Sequence, residues 1–121
     1  MNKKILVVDD DEGILEAIEA LLESEGYEVT LNANGEILEN LRVPYLPDVI
    51  LLDVLLSGKD GRELCRVLKK QETTKHIPII MISAHPSADD SVKAIGADAF
   101  LAKPFERTEL LTLIGKYIGE K

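Results

Sequence analysis

Four apolar residues, Ile5 to Val8, run directly into four acidic ones, Asp9 to Glu12. Two carboxylates about 4 Å apart repel by ~1 kcal/mol in water and ~4 kcal/mol at the effective dielectric of a protein surface, so such a cluster calls for a cation. Polar residues close other apolar runs as well: Asp53 follows Val49–Leu52, Ser83 follows Ile79–Ile82, and Lys103 with Pro104 follows Ala99–Ala102. Taken singly, each aspartate reads as a helix cap or turn former, and Ser83 and Lys103 read as solvated. Taken together, they are three carboxylates with one ammonium and one hydroxyl. Oxygen-only ligands with surplus negative charge suit a hard divalent cation, Mg²⁺ above all, which accepts one or two protein carboxylates and keeps several waters. Mg²⁺ attracts phosphoryl oxygens, and a carboxylate beside it can attack phosphorus to give an aspartyl phosphate. Phosphoryl transfer needs little beyond in-line positioning and charge neutralisation, which Mg²⁺ and Lys103 could supply.

For these residues to meet, the chain must bring its strand ends to one edge. Strand-length apolar runs at Lys4–Val8, Val29–Leu31, Val49–Leu52, Ile79–Ile82 and Ala99–Ala102 alternate with stretches of helical period. Several runs are apolar on consecutive residues, as expected where both faces of a parallel sheet are covered. Ile14, Ala17, Ile18, Leu21 and Leu22 share one helical face before Gly26, and Leu110, Leu111, Ile114, Tyr117 and Ile118 repeat the pattern after Pro104. Shorter helices are predicted at Glu36–Leu41, Gly61–Lys70 and Ala88–Ile95, with Pro44 and Pro47 in a loop. A repeated βα order predicts a doubly wound parallel sheet with right-handed crossovers and helices on both faces. In such sheets ligands bind beyond the carboxyl ends of the strands, where strand order reverses.

Composition narrows the remaining classes. A chain of 121 residues, 45% apolar and 30% charged, predicts one globular domain over residues 1–121. A formal net charge of -8 argues against a broad contact with a nucleic-acid backbone. Cys65 is the one cysteine, which removes a disulfide framework or a cysteine metal site and fits a reducing compartment. No apolar run approaches the ~20 residues that span a bilayer, and the N-terminus lacks a signal-peptide pattern. A cytoplasmic protein that touches neither membrane nor nucleic acid is expected.

The segments VVDDDE, LLDVLLSGKDG, MISA and FLAKPF, in this order, resemble the receiver domain of bacterial two-component response regulators, and the likeness covers essentially the whole chain. The resemblance implies a CheY-like, flavodoxin-like (βα)5 three-layer sandwich with strand order 2-1-3-4-5. It implies that Asp53 accepts a phosphoryl group from a sensor histidine kinase or a histidine phosphotransfer protein. Asp10 would ligate Mg²⁺ directly and Asp9 largely through water, with Asp53 and the backbone carbonyl of Leu55 completing the protein ligands. Lys103 would pair with phosphoryl oxygens, the bond before Pro104 would be cis, Ser83 would follow the phosphoryl group, and the Ala84 N–H would help bind it. Phe100 falls at the switching aromatic, favouring an inward ring, so that phosphorylation would alter the surface of the fourth helix, fifth strand and fifth helix. Asp11 and Glu12 match no ligand position and read as first-turn acids of the first helix. The implied protein catalyses only its own phosphorylation and dephosphorylation, is a monomer or a phosphorylation-dependent homodimer, and acts on an effector or output domain that the sequence does not name.

Some positions depart from the family. Ser57 stands where a proline is common, which loosens the loop after the third strand. The stretch from Ser83 to Lys103 is short, leaving room for only a brief fourth helix and casting doubt on any particular dimer mode. Leu55 and His85 flank the path of water to the phosphoryl group; an imidazole can orient water by hydrogen bonding and leucine cannot. His76 reads as solvated. Two other classes fit less well. A pseudo-receiver that only binds partners would typically lack one of Asp9, Asp10, Asp53 or Lys103. A flavin-binding electron carrier of similar architecture would need a phosphate-binding loop where this chain has DDDEG, which repels phosphate.

Overall fold

Buried runs such as VILLD can hide every side chain only if both sheet faces are covered, and the topology provides that cover. The computed structural model describes residues 3–42, 44–56, 58–85 and 95–118. In chain order these form β1 (Lys4–Val8), α1 (Glu12–Ser24), β2 (Glu28–Asn32), a 3₁₀ turn (Glu36–Asn40), β3 (Val49–Asp53), a small hairpin pairing Leu55–Leu56 with Lys59–Asp60, α2 (Gly61–Lys70), β4 (Ile79–Ser83), β5 (Ala99–Ala102) and α3 (Arg107–Ile118). The five long strands form one parallel sheet in the order β2-β1-β3-β4-β5. This is the flavodoxin-like order that the resemblance implies. Chain direction across the sheet reverses between β1 and β3, so Asp9, Asp10 and Asp53 emerge side by side.

Alternate side chains of β1, β3 and β4 divide the core in two. Leu6, Val8, Ile50, Leu52, Ile79 and Met81 pack with Leu38 and, from α2, Cys65 and Leu68. Ile5, Val7, Val49, Leu51, Ile80 and Ile82 pack with Leu15, Ile18 and Leu22 of α1 and Leu110, Ile114 and Ile118 of α3. Away from the site, Asp98 anchors the start of β5. Its carboxylate lies 2.7 Å from Lys69 Nζ, it accepts the Ile79 N–H at 2.8 Å, and its carbonyl accepts the Tyr117 hydroxyl at 2.8 Å.

The structure amends the sequence reading in three places. Glu36–Leu41 is not an α-helix: a 3₁₀ turn covers Glu36–Asn40. Asn32 and Asn34 side chains accept the N–H groups of Gly35 and Glu36, and Gly35 sits at φ 79°. Such local bonds compete with helical ones, and so short a segment does not repay helix nucleation. Asp11 is the cap of α1 rather than part of its first turn, its carboxylate accepting the Ile14 N–H at 3.2 Å. The loop after β3 carries a two-stranded hairpin that no sequence pattern announced. Residues 88–94 of the expected fourth helix, and Ser57, lie outside the described residues; Ile95 is in a turn. Among the described residues no helix is long and apolar enough to cross a membrane.

Candidate functional site

Asp9 is fully buried (0% exposed), because the β1–β2 ladder continues one residue past β1 through its N–H, which donates to the Asn32 carbonyl at 3.2 Å. A buried carboxylate must be paired and hydrogen-bonded, and both oxygens of Asp9 are engaged: Oδ1 accepts the Asp11 N–H at 2.9 Å, and Oδ2 lies 2.9 Å from Lys103 Nζ. Lys103 reaches Asp53 less closely, with Nζ 3.5 Å from Oδ1. The backbone of Lys103 is tied to β4 by its N–H, which donates to the Ser83 carbonyl at 2.8 Å, and the Lys103–Pro104 peptide is cis.

Asp53 closes β3 with only 6% of its surface exposed. Burial first, and then the charge of Asp9, push its carboxyl pKa up to about 6 against the pull of the Lys103 ammonium. For Lys103, burial works toward deprotonation, but the hydrogen bond and charge of Asp9, with those of Asp53, outweigh it and hold the ammonium above its ordinary value. One ammonium therefore does not neutralise the site. Asp10 is exposed at its mouth, and one carboxylate oxygen from each of Asp9, Asp10 and Asp53 lies within 4.8 Å of the others. These three carboxylates could hold a metal ion. Their hard oxygen donors and surplus charge fit a divalent cation such as Mg²⁺.

Ser83 is buried at the end of β4, and its Oγ accepts the His85 N–H at 3.0 Å. Ala84 and His85 are exposed beyond it. Leu55 is 53% exposed and pairs with Asp60 in the hairpin. Phe100 lies apart from the acidic cluster; it pairs in register with Met81 and packs, half-buried, against the core on the α2 side. Beside Lys103, an apolar groove runs along α1, walled by Ile14, Ala17, Leu21, Pro104 and Phe105.

Two features went unread in the sequence. Gly61 opens α2 directly against the acceptor strand, where a Cβ would overlap the carbonyl oxygen of Asp53. Asp60 caps α2 by accepting the Arg62 N–H at 2.9 Å and is gripped by the Arg62 guanidinium at 3.0 and 2.9 Å, which holds the Asp60 carboxyl below the usual range. An Asp-Gly pair ahead of a helical pattern was the available signal, and it reads equally well as an ordinary turn.

A family model described as the response regulator receiver domain matches residues 5–115. The response regulator PleD of Caulobacter vibrioides is 40% identical over 116 residues, which cover 94% of this chain and 26% of PleD. The chain thus spans about a quarter of the length of that curated relative. The receiver domain of sensor histidine kinase PA1611 from Pseudomonas aeruginosa PAO1, solved with a magnesium ion coordinated in its active site cleft, is 34% identical with a TM-score of 0.85, covering 98% of this chain and 99% of that one. A CheY-like receiver domain protein from Methanospirillum hungatei JF-1 is 34% identical with a TM-score of 0.87, covering 99% and 96%.

Proposed function

The chain belongs to the response regulator receiver domains, and from that premise we propose that Asp53 accepts a phosphoryl group from a phosphohistidine on a sensor histidine kinase or a phosphotransfer protein. The observation that carries this reading is the meeting of Asp9, Asp53 and Lys103, from three separate strand ends, around one half-neutralised pocket. With its pKa at about 6, Asp53 is mostly ionised at neutral pH and can act as a nucleophile. Its oxygen forms the new P–O bond as the P–N bond of the donor breaks and the imidazole leaves. Lys103, held in place by Asp9, presents its ammonium to the incoming phosphoryl oxygens. Asp10, Asp53 and the Leu55 carbonyl, with Asp9 largely through water, would hold Mg²⁺, whose chemistry is to neutralise phosphoryl charge.

The response to phosphorylation follows from Ser83. Its hydroxyl now accepts from the His85 backbone; turning toward the phosphoryl group, with the Ala84 N–H beside it, it vacates space toward which the Phe100 ring moves, changing the outer surface around β5. Leu55 and His85, both exposed near the acceptor, flank the path of hydrolytic water. Gain and loss of this one phosphoryl group is the whole catalytic repertoire.

Mass spectrometry after incubation with acetyl phosphate, with and without Mg²⁺, tests the reading. A single phosphoryl mass should appear only with Mg²⁺ and disappear in Asp53→Asn. Failure of both acetyl phosphate and a cognate kinase to label the wild type would move the protein to the class of pure interaction modules.

A further inference from the structure

Gly61 stands where the acceptor strand and the next helix come closest. A Cβ there would overlap the Asp53 carbonyl oxygen and lie 3.1 Å from the Asp53 carbonyl carbon and from the Val54 carbonyl oxygen. Its N–H donates to that same Val54 oxygen at 2.7 Å, so the start of α2 is tied directly to the residue that follows Asp53. On the strand side nothing can yield: Asp53 pairs in register with Ile82, and the Val54 N–H donates to the Ile82 carbonyl at 2.9 Å. On the helix side, Cys65 and Leu68 are locked in the core. A side chain at position 61 would therefore push Asp60, and with it Leu55, its partner in the hairpin, away from Asp53.

We propose that Gly61 is a positioning residue of the metal and acceptor loop: its missing Cβ lets α2 close on the Asp53 carbonyl, and this closure sets the Leu55 backbone relative to the Asp53 carboxylate. The Asp60 cap and its Arg62 fork secure the same closure from outside. The inference deepens the proposed function and rests on its assignment of the Leu55 carbonyl as a ligand.

Calorimetric titration of metal-free protein with Mg²⁺, well below the melting transition, tests it on wild type, Gly61→Ala, Asp60→Ala, Asp60→Asn and a control, Gly115→Ala, whose added methyl meets nothing within 4 Å. Gly61→Ala should melt cooperatively yet bind Mg²⁺ about ten-fold or more weakly, as when a partner that orients a ligand is lost. Its amide resonances without metal should shift chiefly over residues 53–62. Gly115→Ala should bind as wild type does, and Asp60→Asn, which keeps a capping oxygen, should bind more tightly than Asp60→Ala. A folded Gly61→Ala with unchanged affinity would overturn the inference. If that variant does not fold, equal affinities of the two Asp60 variants would overturn it instead. A wild type that binds no Mg²⁺ would bring down the metal assignment and this inference together, whereas a binding wild type with an indifferent Gly61→Ala sinks the inference alone.

Discussion

Asp53 holds its proton more tightly in the fold than it would in an unfolded chain, and that sets a measurable pH dependence. Its folded pKa of about 6 lies above the ordinary 3.8, so between those values the native state binds more protons than the unfolded one. The stabilisation this gives is complete below about pH 4 and is lost as pH rises through about 6. At pH 7.5 without metal the ionised Asp53 thus weakens the fold by up to about 3 kcal/mol, at 1.36 kcal/mol for each pKa unit. Asp53→Asn removes that charge. Metal-free thermal melts should show the variant several degrees more stable than wild type at pH 7.5, the gap narrowing toward pH 4. A variant no more stable than wild type at pH 7.5 would refute the assigned cost of burying the Asp53 charge beside Asp9.

At the level of elements, two helices make contrasting predictions. α1 depends on the Asp11 side chain to satisfy the Ile14 N–H at its start, and Asp11→Ala should destabilise the protein by about 1 kcal/mol in urea titrations without altering the slope of the transition. α3 carries Gly115 in its interior, where a methyl group would meet nothing within 4 Å. Gly115→Ala should stabilise by about 0.5–1 kcal/mol through helix propensity. The segment before β3 shows why such local rules need context. Glu36–Leu41 carries helix-favouring residues, yet the Asn32 and Asn34 side chains and the left-handed Gly35 turn it into a 3₁₀ segment.

For the molecule as a whole, the acidic cluster links the ends of β1 and β3 across the point where strand order reverses. A cation that binds only the assembled cluster stabilises the entire fold, by about 2.7 kcal/mol at a hundred times its dissociation constant. Mg²⁺ should therefore raise the melting midpoint of wild type in a concentration-dependent way and leave that of Asp53→Asn nearly unmoved. Equal shifts in both proteins would place the ion elsewhere on this strongly acidic surface.

The amino-acid sequence alone determined the alternation of strands and helices, because consecutive apolar residues and helical spacing are local consequences of burial on two faces or one. It also nominated Asp9, Asp10, Asp53, Ser83 and Lys103, since a parallel βα order brings strand ends to a common edge wherever the chain goes in between. Only the tertiary structure decided how these residues engage one another. That Lys103 pairs closely with Asp9 and more loosely with Asp53, and that Gly61 lies against the Asp53 carbonyl, are outcomes of packing between segments far apart in the chain or turned sharply upon each other. No local periodicity encodes them: residue type announces that a carboxylate will seek a cation, while the folded backbone selects which one it meets and at what distance.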